Sequence, residues 1–346
     1  MPFPLNLLAT GIGSLPHSDP EAACRLVIQN FPEIPSWPQL PRRSFKENMY
    51  VQFSEGFPGV VLDEANERIW VDRSVDLNPG LEELYSAYLE NDVSFAAVSP
   101  EYGAGLAWLP LEMAASQVQP RAVKGQVTGP ISWGLTVTDE NRRPVLYDET
   151  LADAAVKLLR LKAGWLEGEL RKIHPSTVVF VDEPYLSAFG SAFISLSREQ
   201  VVSYLGEVFG AIQGLKGVHC CGNTDWSILA STAVDVINFD AYSYAESLAL
   251  YPEDVRAFLA RGGAIAWGIV PADNEQAVWR ESVESLMGRL QAAMNLLIKK
   301  GVHQDDILAA CLVTSSCGLR GLSPAAAERA LSLVAGVAKA LRERYG

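Results

Sequence analysis

The sequence is poor in the residue types that most often carry chemistry, with four histidines and five cysteines among 346 residues. An odd number of cysteines argues against a disulfide scaffold and for reduced thiols. No run of eighteen apolar residues occurs, so we expect no membrane span. The first twenty residues also lack the basic segment and the cleavage pattern of a secretory signal. These absences predict a cytoplasmic protein.

Basic residues are also scarce, at 28 against 41 acidic ones, which gives a formal net charge of −13. Such a chain repels phosphate backbones, so nucleic acid is excluded as an expected partner. Hydrophobic residues make up 49% of the chain, which is enough to bury a sizeable core.

Short apolar or β-branched runs alternate with segments of helical period, which is typical of βαβ units and a parallel sheet. The predicted strands cover residues 8–14, 93–99, 121–129, 177–183, 215–221, 234–240, 263–270 and 309–316. The predicted helices cover residues 19–31, 79–91, 148–173, 197–213 and 323–342. Eight strands in this length favour an α/β fold of the (β/α)₈ TIM-barrel class.

Residues 35–75 interrupt this alternation with prolines, aromatic residues and two short strands around residues 63–66. We interpret them as an inserted flap, or hairpin, that follows the first strand and covers the barrel mouth. No linker divides the chain, so residues 1–346 are predicted to form one domain.

The segment Val218–Thr224, "VHCCGNT", concentrates three of the scarce residues at a predicted strand end. Residues i and i+2 of a strand point to the same face, so His219 and Cys221 can bind one ion while Cys220 points away. The alternative is an ordinary core histidine beside cysteines that pack as small apolar residues.

Zinc prefers nitrogen and sulfur ligands, and needs three or four of them. Cys317, at the end of the last predicted strand, offers a second thiolate. Asp240, Glu183 or Glu246 could supply a carboxylate. Because active sites of barrels lie at the carboxyl ends of the strands, these residues are predicted to meet there.

Two further strand ends carry candidate residues. Asp182 and Glu183 follow the apolar run "TVVFV", and only one of two adjacent side chains can face the barrel axis. They are candidate catalytic carboxylates that bind a substrate ammonium or accept a proton; the alternative is a strand-end cap or a salt bridge. The turn Ile12-Gly13-Ser14 could receive a substrate carboxylate on its backbone amides, although an ordinary turn is the alternative.

The ordered set of motifs resembles the C-terminal catalytic barrel of cobalamin-independent methionine synthase, within the uroporphyrinogen-decarboxylase-like superfamily. The resembling motifs cover nearly the whole chain and are "TGIGSLP" near residue 10, "TGPISW" at 128–133, "VFVDEP" at 179–184, "HCC" at 219–221, "VINFDAYS" at 236–243 and "SSCGLRGLSP" at 315–324. The N-terminal half of the full-length synthase has no counterpart, so the resemblance implies a single-barrel version.

The resemblance implies a zinc-dependent transfer of a methyl group to a thiol, with homocysteine as the acceptor and methionine as the product. It implies His219, Cys221 and Cys317 as zinc ligands, with Asp240 at the place of the family's glutamate. It further implies that Asp182 binds the substrate amino group and that the turn of residues 12–14 binds its carboxylate.

Two positions depart from the family pattern. The segment Asn48–Phe53 lacks the family's second acid for the amino group, and Gly268–Pro271 lacks its catalytic histidine. A methylated corrinoid needs no proton donor for its leaving group, whereas a folate amine does. The missing histidine is therefore more compatible with methylcobalamin as the methyl donor than with 5-methyltetrahydrofolate.

Three alternatives follow. The first is a methylcobamide:thiol methyltransferase that uses another small-molecule thiol, with a corrinoid protein or methyl-folate as the donor. The second is a zinc- or corrinoid-binding homologue that has lost catalysis. The third is a metal-free decarboxylase of the porphyrin type, in which the His-x-Cys pattern would have no role.

Overall fold

The computed structural model of the chain describes residues 5–191 and 194–346. We number its strands and helices in chain order. The strands are β1 Leu8–Ala9, β2 Val60–Asp63, β3 Arg68–Val71, β4 Val123–Thr128, β5 Thr138–Asp139, β6 Thr177–Asp182, β7 Leu215–Cys220, β8 Val236–Phe239, β9 Ala264–Val270 and β10 Cys311–Ser315. The helices are α1 Pro20–Asn30, α2 Met49–Gln52, α3 Asn78–Glu90, α4 Ala104–Ser116, α5 Pro130–Thr136, α6 Glu149–Ile173, α7 Arg198–Phe209, α8 Trp226–Ala230, α9 Ala245–Leu248, α10 Pro252–Ala260, α11 Glu275–Arg280, α12 Val283–Ile298, α13 Gln304–Ala309 and α14 Pro324–Tyr345.

Seven strands form one curled parallel sheet in the order β1-β10-β9-β8-β7-β6-β4. The predicted parallel α/β sheet is thereby confirmed, and seven of the eight predicted strands belong to it. All of its strands run the same way, so their carboxyl ends lie along one rim. The chain's first and last strands are direct neighbours, with Leu8 opposite Leu312.

The prediction of a strand over residues 93–99 is wrong. Residues Val93–Ala96 form a 3₁₀ helix, whose first turn is capped by the Asp92 carboxylate through a 3.0 Å hydrogen bond from the Ser94 amide. The run "VSFAAVS" has the composition of a strand, but a capping aspartate and a short apolar stretch also suit a single helical turn.

Residues 35–39 occupy the gap between β1 and β4 instead. The Trp37 amide donates to the Lys124 carbonyl at 2.8 Å, and the Gln39 amide donates to the Gly13 carbonyl at 3.1 Å. Proline at positions 35 and 38 removes two backbone donors, so the pairing is reduced to isolated parallel bridges. The insertion therefore begins after this segment and not at residue 35.

The predicted pair of short strands around residues 63–66 is confirmed. Strands β2 and β3 pair antiparallel around a 3₁₀ turn at Glu64–Asn66, and β5 adds a third strand. This small sheet is separate from the large one.

The interior of the curled sheet has two layers. Its lower layer is apolar and consists of Leu5, Leu8, Ile34, Ala122, Val178, Phe180, Leu215, Val236, Ala264, Ala266, Ala310 and Leu312. Phe180 fills the middle of this layer, and a Cβ on Gly217 would lie 1.9 Å from its ring. Strand alternation places the polar residues Gln126, Asp182, His219 and Asn238 on the same inner face, nearer the carboxyl ends.

The helices pack on the outer face, where the larger hydrophobic cluster lies. Asp19 caps α1, and Ser197 forms a capping box with Gln200 at α7, so both helices begin close to the predicted residues 19 and 197. None of the helices in the described residues is both long and apolar enough to cross a membrane.

Candidate metal centre

A cavity of about 220 Å³ opens at the carboxyl ends of the strands. Strand β6 ends there in Asp182, β7 brings His219 and Cys221, and Cys317 follows β10. The remaining lining residues are Ile12, Ser14, Gln39, Pro41, Glu47, Met49, Tyr50, Pro184, Gly318 and Arg320. After the segment of residues 35–39, the chain reaches this cavity between Pro41 and Tyr50, whereas the β2–β3 hairpin does not line it.

His219, Cys221 and Cys317 each point a ligand atom at a common point, and these atoms lie within 4.8 Å of one another. Among the residues that the structure describes, no other group of three His, Cys, Asp or Glu side chains meets this condition. Cys220 is fully buried and belongs to the outer hydrophobic cluster. The alternation inferred from "VHCC" therefore separates the two adjacent thiols as expected.

The chemistry of these three side chains suits a zinc ion. A hydrogen bond from the Cys317 thiol, assisted by the His219 ring, lowers the pKa of Cys221 to about 4. The same hydrogen bond to Cys221, together with burial and the negative charge of Cys221, raises the pKa of Cys317. The Nε2 atom of His219 is buried and has no hydrogen-bond partner. One imidazole nitrogen and two sulfurs form a donor set that zinc prefers, and three protein ligands leave one position open.

Asp182 faces the cavity from the neighbouring strand, in register with His219. Its Oδ1 atom is buried without a hydrogen-bond partner. Burial raises the pKa of Asp182 to about 6, although His219 and Lys124 partly oppose this effect. A buried carboxylate oxygen that lacks a donor is suited to receive one from a ligand.

Glu183 does not line the cavity. Its two carboxylate oxygens accept hydrogen bonds from the backbone amides of Ile131, at 2.9 Å, and Ser132, at 2.7 Å, at the start of α5. Gly129 allows this approach, because a Cβ there would lie 2.1 Å from Glu183 Oε1. The structure thus directs Asp182 into the cavity and Glu183 to the first amides of α5, an arrangement that is neither the strand-end cap nor the salt bridge given as the alternative.

Neither Asp240 nor Glu246 joins the cluster of ligand atoms. The Asp240 carboxylate accepts a 2.8 Å hydrogen bond from the Ser243 amide, which turns it into the loop that follows β8. Glu246 is exposed on α9. The aspartate side chain is one methylene shorter than the glutamate of the methionine synthase family that the sequence resembles. Its carboxylate is hydrogen-bonded within the loop that follows β8.

The turn Ile12-Gly13-Ser14 lies at the cavity, with Ile12 and Ser14 among its walls. Gly13 has φ +153°, and a Cβ at this position would lie 2.4 Å from Gln126 Nε2. The Ser14 carbonyl accepts a 2.8 Å hydrogen bond from the Leu319 amide, so the turn is tied to the loop that carries Cys317.

Some residues in and around the cavity could not be identified from the sequence. Glu47 lines the cavity one residue before the segment that lacks the family's acid, but its carboxylate is held by Arg43 at 2.6 Å and by the Leu40 amide at 2.8 Å. Gln52, inside that segment, is buried and accepts a 2.6 Å hydrogen bond from Gln39. No carboxylate of this segment is therefore free to pair with a substrate amine.

Lys124 lies beneath the cavity and is fully buried. Its ammonium donates to the Ile12 carbonyl at 2.8 Å and to Gln126 Oε1 at 3.0 Å. Burial lowers the pKa of Lys124 to about 7, and the charge of Asp182 partly offsets this. The sequence places Lys124 in the predicted strand "RAVKGQVTG". It does not show that the side chain faces inward, because that depends on the register of β4.

The chain's fold is shared with known enzymes, although no family model and no curated protein matches its sequence. A B12-independent methionine synthase from Shewanella sp. W3-18-1, solved in complex with selenomethionine, superimposes with a TM-score of 0.59 over 98% of both chains, at 15% identity. A methyltransferase from Methanosarcina mazei superimposes with a TM-score of 0.55 over 95% of this chain and 87% of its own, at 14% identity. At such identities the likeness establishes the fold alone.

Proposed function

We propose that the chain is a zinc-dependent methyltransferase that moves a methyl group to a thiol, with homocysteine as the acceptor. The observation that carries the proposal is the convergence of His219, Cys221 and Cys317 beside Asp182 in one cavity. Asp182 and His219 lie on strands β6 and β7, while Cys221 and Cys317 follow the ends of β7 and β10. The decarboxylase alternative offers no role for the nitrogen-sulfur cluster. The structural neighbours support the proposal because their names record methyl transfer.

His219, Cys221 and Cys317 would hold the zinc ion. When bound, zinc would keep the acceptor thiol deprotonated at neutral pH. A free thiol, whose pKa is near 8.5, is mostly protonated at that pH. Two protein thiolates offset the ion's charge, so the sulfur of the substrate stays nucleophilic.

Asp182 would bind the substrate ammonium through its unpartnered Oδ1 atom. The turn of residues 12–14 would present backbone amides to the substrate carboxylate. Together these contacts orient an amino-acid thiol with its sulfur toward the cysteine cluster.

The size of the cavity bears on the methyl donor. At about 220 Å³ it is smaller than the pockets of about 300–1,000 Å³ that enclose drug-sized ligands. It suits a small thiol, so the donor would present its methyl group at the mouth. Val270, at the end of β9, is apolar and buried where the resembling family has its histidine. A methylated corrinoid, which needs no proton donor, therefore fits better than 5-methyltetrahydrofolate.

The absence of a free second carboxylate supports a second candidate. Gln52 is engaged by Gln39, and Glu47 by Arg43, so Asp182 alone is available for an amine. A methylcobamide:thiol methyltransferase that acts on a thiol without an amino group would need no such pair.

Zinc analysis and a methyl-transfer assay test the proposal. We expect about one equivalent of zinc in the purified protein, lost in His219→Ala and Cys317→Ser but kept in Cys24→Ala, whose thiol is buried against the Gly105 carbonyl. With homocysteine and methylcobalamin, the protein should form methionine, detected by mass spectrometry. A folded protein without zinc after growth in zinc-replete medium would contradict the proposal. Transfer from 5-methyltetrahydrofolate but not from methylcobalamin would contradict the donor preference.

A further inference from the structure

Asn238 is a fully buried polar residue on the inner face of the curled sheet. It lies on β8, opposite His219 of β7 on one side and Ala266 of β9 on the other. A buried amide is costly unless its donors and acceptor are all used, so the identity of its partners determines its orientation.

The neighbours of Asn238 fix which side of its amide is nitrogen. One amide atom lies 2.9 Å from the Ala266 carbonyl, which can only accept, so this atom is the NH₂ group. The same nitrogen lies 2.8 Å from the hydroxyl oxygen of Thr314. The Thr314 hydroxyl donates its own hydrogen to the Ser315 carbonyl at 2.9 Å, so its oxygen is free to accept.

The amide oxygen of Asn238 therefore faces His219, where it meets the Nδ1 atom. An oxygen with no hydrogen can only accept, so Nδ1 must carry the ring proton. The lone pair of neutral His219 is then on Nε2, which is buried without a partner and directed at Cys221 and Cys317. A metal requires this tautomer if it is to bind through Nε2.

The same network continues to the second ligand-bearing segment. Ser315, whose carbonyl accepts from Thr314, donates its side-chain hydroxyl to the Cys317 carbonyl at 2.7 Å. The ladder between β9 and β10 is also irregular between Thr314 and Ser315, which turns this part of the strand. Side chains of β8 and β10 thus connect the His219 ring to the backbone of Cys317.

We infer that Asn238 is a positioning residue that holds His219 as the Nδ1–H tautomer, and that Thr314 and Ser315 extend this control to Cys317. This inference rests on the zinc site of the proposed function. It concerns the arrangement of the ligands before a metal arrives, so it can be tested without methyl transfer.

Nitrogen NMR of the metal-free protein tests the tautomer directly. With ¹⁵N-histidine labelling the chain gives four imidazole systems, and that of His219 is identified by its loss in His219→Asn. In spectra recorded at a pH high enough to keep the ring neutral, we expect the His219 signals of an Nδ1–H tautomer in the wild type. In Asn238→Leu we expect a tautomer mixture and zinc affinity that is about 10- to 100-fold weaker by chelator competition, which is the usual loss when an outer hydrogen-bond partner is removed.

Two further variants separate positioning from general destabilisation. Thr10→Val removes a buried hydrogen bond to the Ile34 carbonyl outside the network, and should leave tautomer and zinc affinity unchanged. Thr314→Val should keep the Nδ1–H tautomer, because the Ala266 carbonyl still holds the amide, but should weaken zinc binding. Unchanged affinity in Thr314→Val would overturn the extension to Cys317.

The results also distinguish this inference from the proposed function. An Nε2–H tautomer in the wild type would overturn the inference even if Asn238→Leu failed to fold. Wild-type zinc affinity in a folded Asn238→Leu variant would overturn it as well. A protein with the Nδ1–H tautomer that binds no zinc would overturn the proposed function while supporting the tautomer assignment.

Discussion

At the scale of single residues, the two adjacent cysteines of "VHCC" have different environments. Cys220 is fully buried among apolar side chains, whereas Cys221 lines the cavity with a lowered pKa. This difference follows from strand alternation and does not depend on the identity of the metal.

We expect Cys221→Ala to abolish zinc binding and Cys220→Ala to retain about one equivalent. The first substitution removes one of three ligands, while the second removes a thiol that faces away from the cavity. The zinc content of the two variants after dialysis, measured by elemental analysis, tests this expectation. Equal loss in both variants would show that the site does not use the face that we assign to it.

The three cluster residues could be predicted from the sequence because two simple rules apply to them. Alternation separates His219 and Cys221 from Cys220, and strand ends of a barrel meet at one rim. Asn238 could not be found in this way, because its role depends on which residues lie opposite it in β7 and β9. Asp240 was assigned from a motif alone, and the local hydrogen bond to Ser243 was not visible there.

At the scale of elements, Glu183 joins β6 to the start of α5. Burial raises its pKa from 4.5 to about 7, against the opposing effect of hydrogen bonds from Ser132 and Ile131. The folded protein therefore holds this proton more tightly than the unfolded chain does. Its contribution to stability is fully present below pH 4.5 and is lost as the pH rises toward and through 7.

We expect Glu183→Gln to remove this pH dependence. The change from 4.5 to about 7 corresponds to roughly 3 kcal/mol. Between pH 5 and 8 the free energy of unfolding of the wild type should fall relative to that of the variant. Urea unfolding at several pH values measures the difference, and parallel curves for the two proteins would contradict the assignment.

The segment of residues 35–39 closes the gap in the sheet without forming a regular strand. Trp37 anchors it, since its side chain is fully buried and packs edge-on against Phe53 at 6.3 Å between ring centroids. The prolines that flank Trp37 limit the backbone pairing, so side-chain burial holds the segment in place.

Trp37→Ala should destabilise the protein by about 3–5 kcal/mol, which is typical of an aromatic residue removed from a core. Trp279→Ala is the matched control, because that side chain is 53% exposed, and it should change stability by less than about 0.5 kcal/mol. Thermal or chemical unfolding of both variants gives the comparison. A Trp37 variant as stable as the control would show that the segment is not anchored by this side chain.

The strands from residue 121 onward were predictable because each is a continuous apolar run between helices with clear start signals. The region before residue 121 was not. The strand-like segment at residues 35–39 contains prolines, so its sequence does not look like a strand. The run at residues 93–99 has the composition of a strand, but it follows a capping aspartate and forms a helical turn. Composition alone cannot distinguish these cases, since the difference lies in which backbone groups find partners.

At the scale of the whole molecule, the interior of the curled sheet is apolar below and polar above, with the cluster of His219, Cys221 and Cys317 at the open end. The ligands come from β7 and from the loop after β10, so an ion would join distant parts of the chain. Because it binds the folded state and not the unfolded one, it should stabilise the fold.

We expect zinc at a hundred times its dissociation constant to add about 2.7 kcal/mol of stability. For a chain of 346 residues that corresponds to a rise in melting temperature of roughly 4 °C. Differential scanning fluorimetry with zinc, and with magnesium as the control, measures the shift. The same rise in His219→Ala would show that zinc acts elsewhere.

Because β1 pairs with β10, with Leu8 opposite Leu312, this part of the sheet can form only after nearly the whole chain has been synthesised. At about 5–20 residues per second, roughly 15–60 s of synthesis separate β1 from the strand that it pairs with. The wall of the cavity that contains Ile12 and Ser14 is tied to the loop after β10 through the Leu319 amide. During that interval this wall has the Gln39 amide and the Lys124 ammonium as partners, but its bond to the Leu319 amide cannot yet form. The connection between Ser14 and the loop that carries Cys317 is therefore made only after His219 and Asp182 have been synthesised.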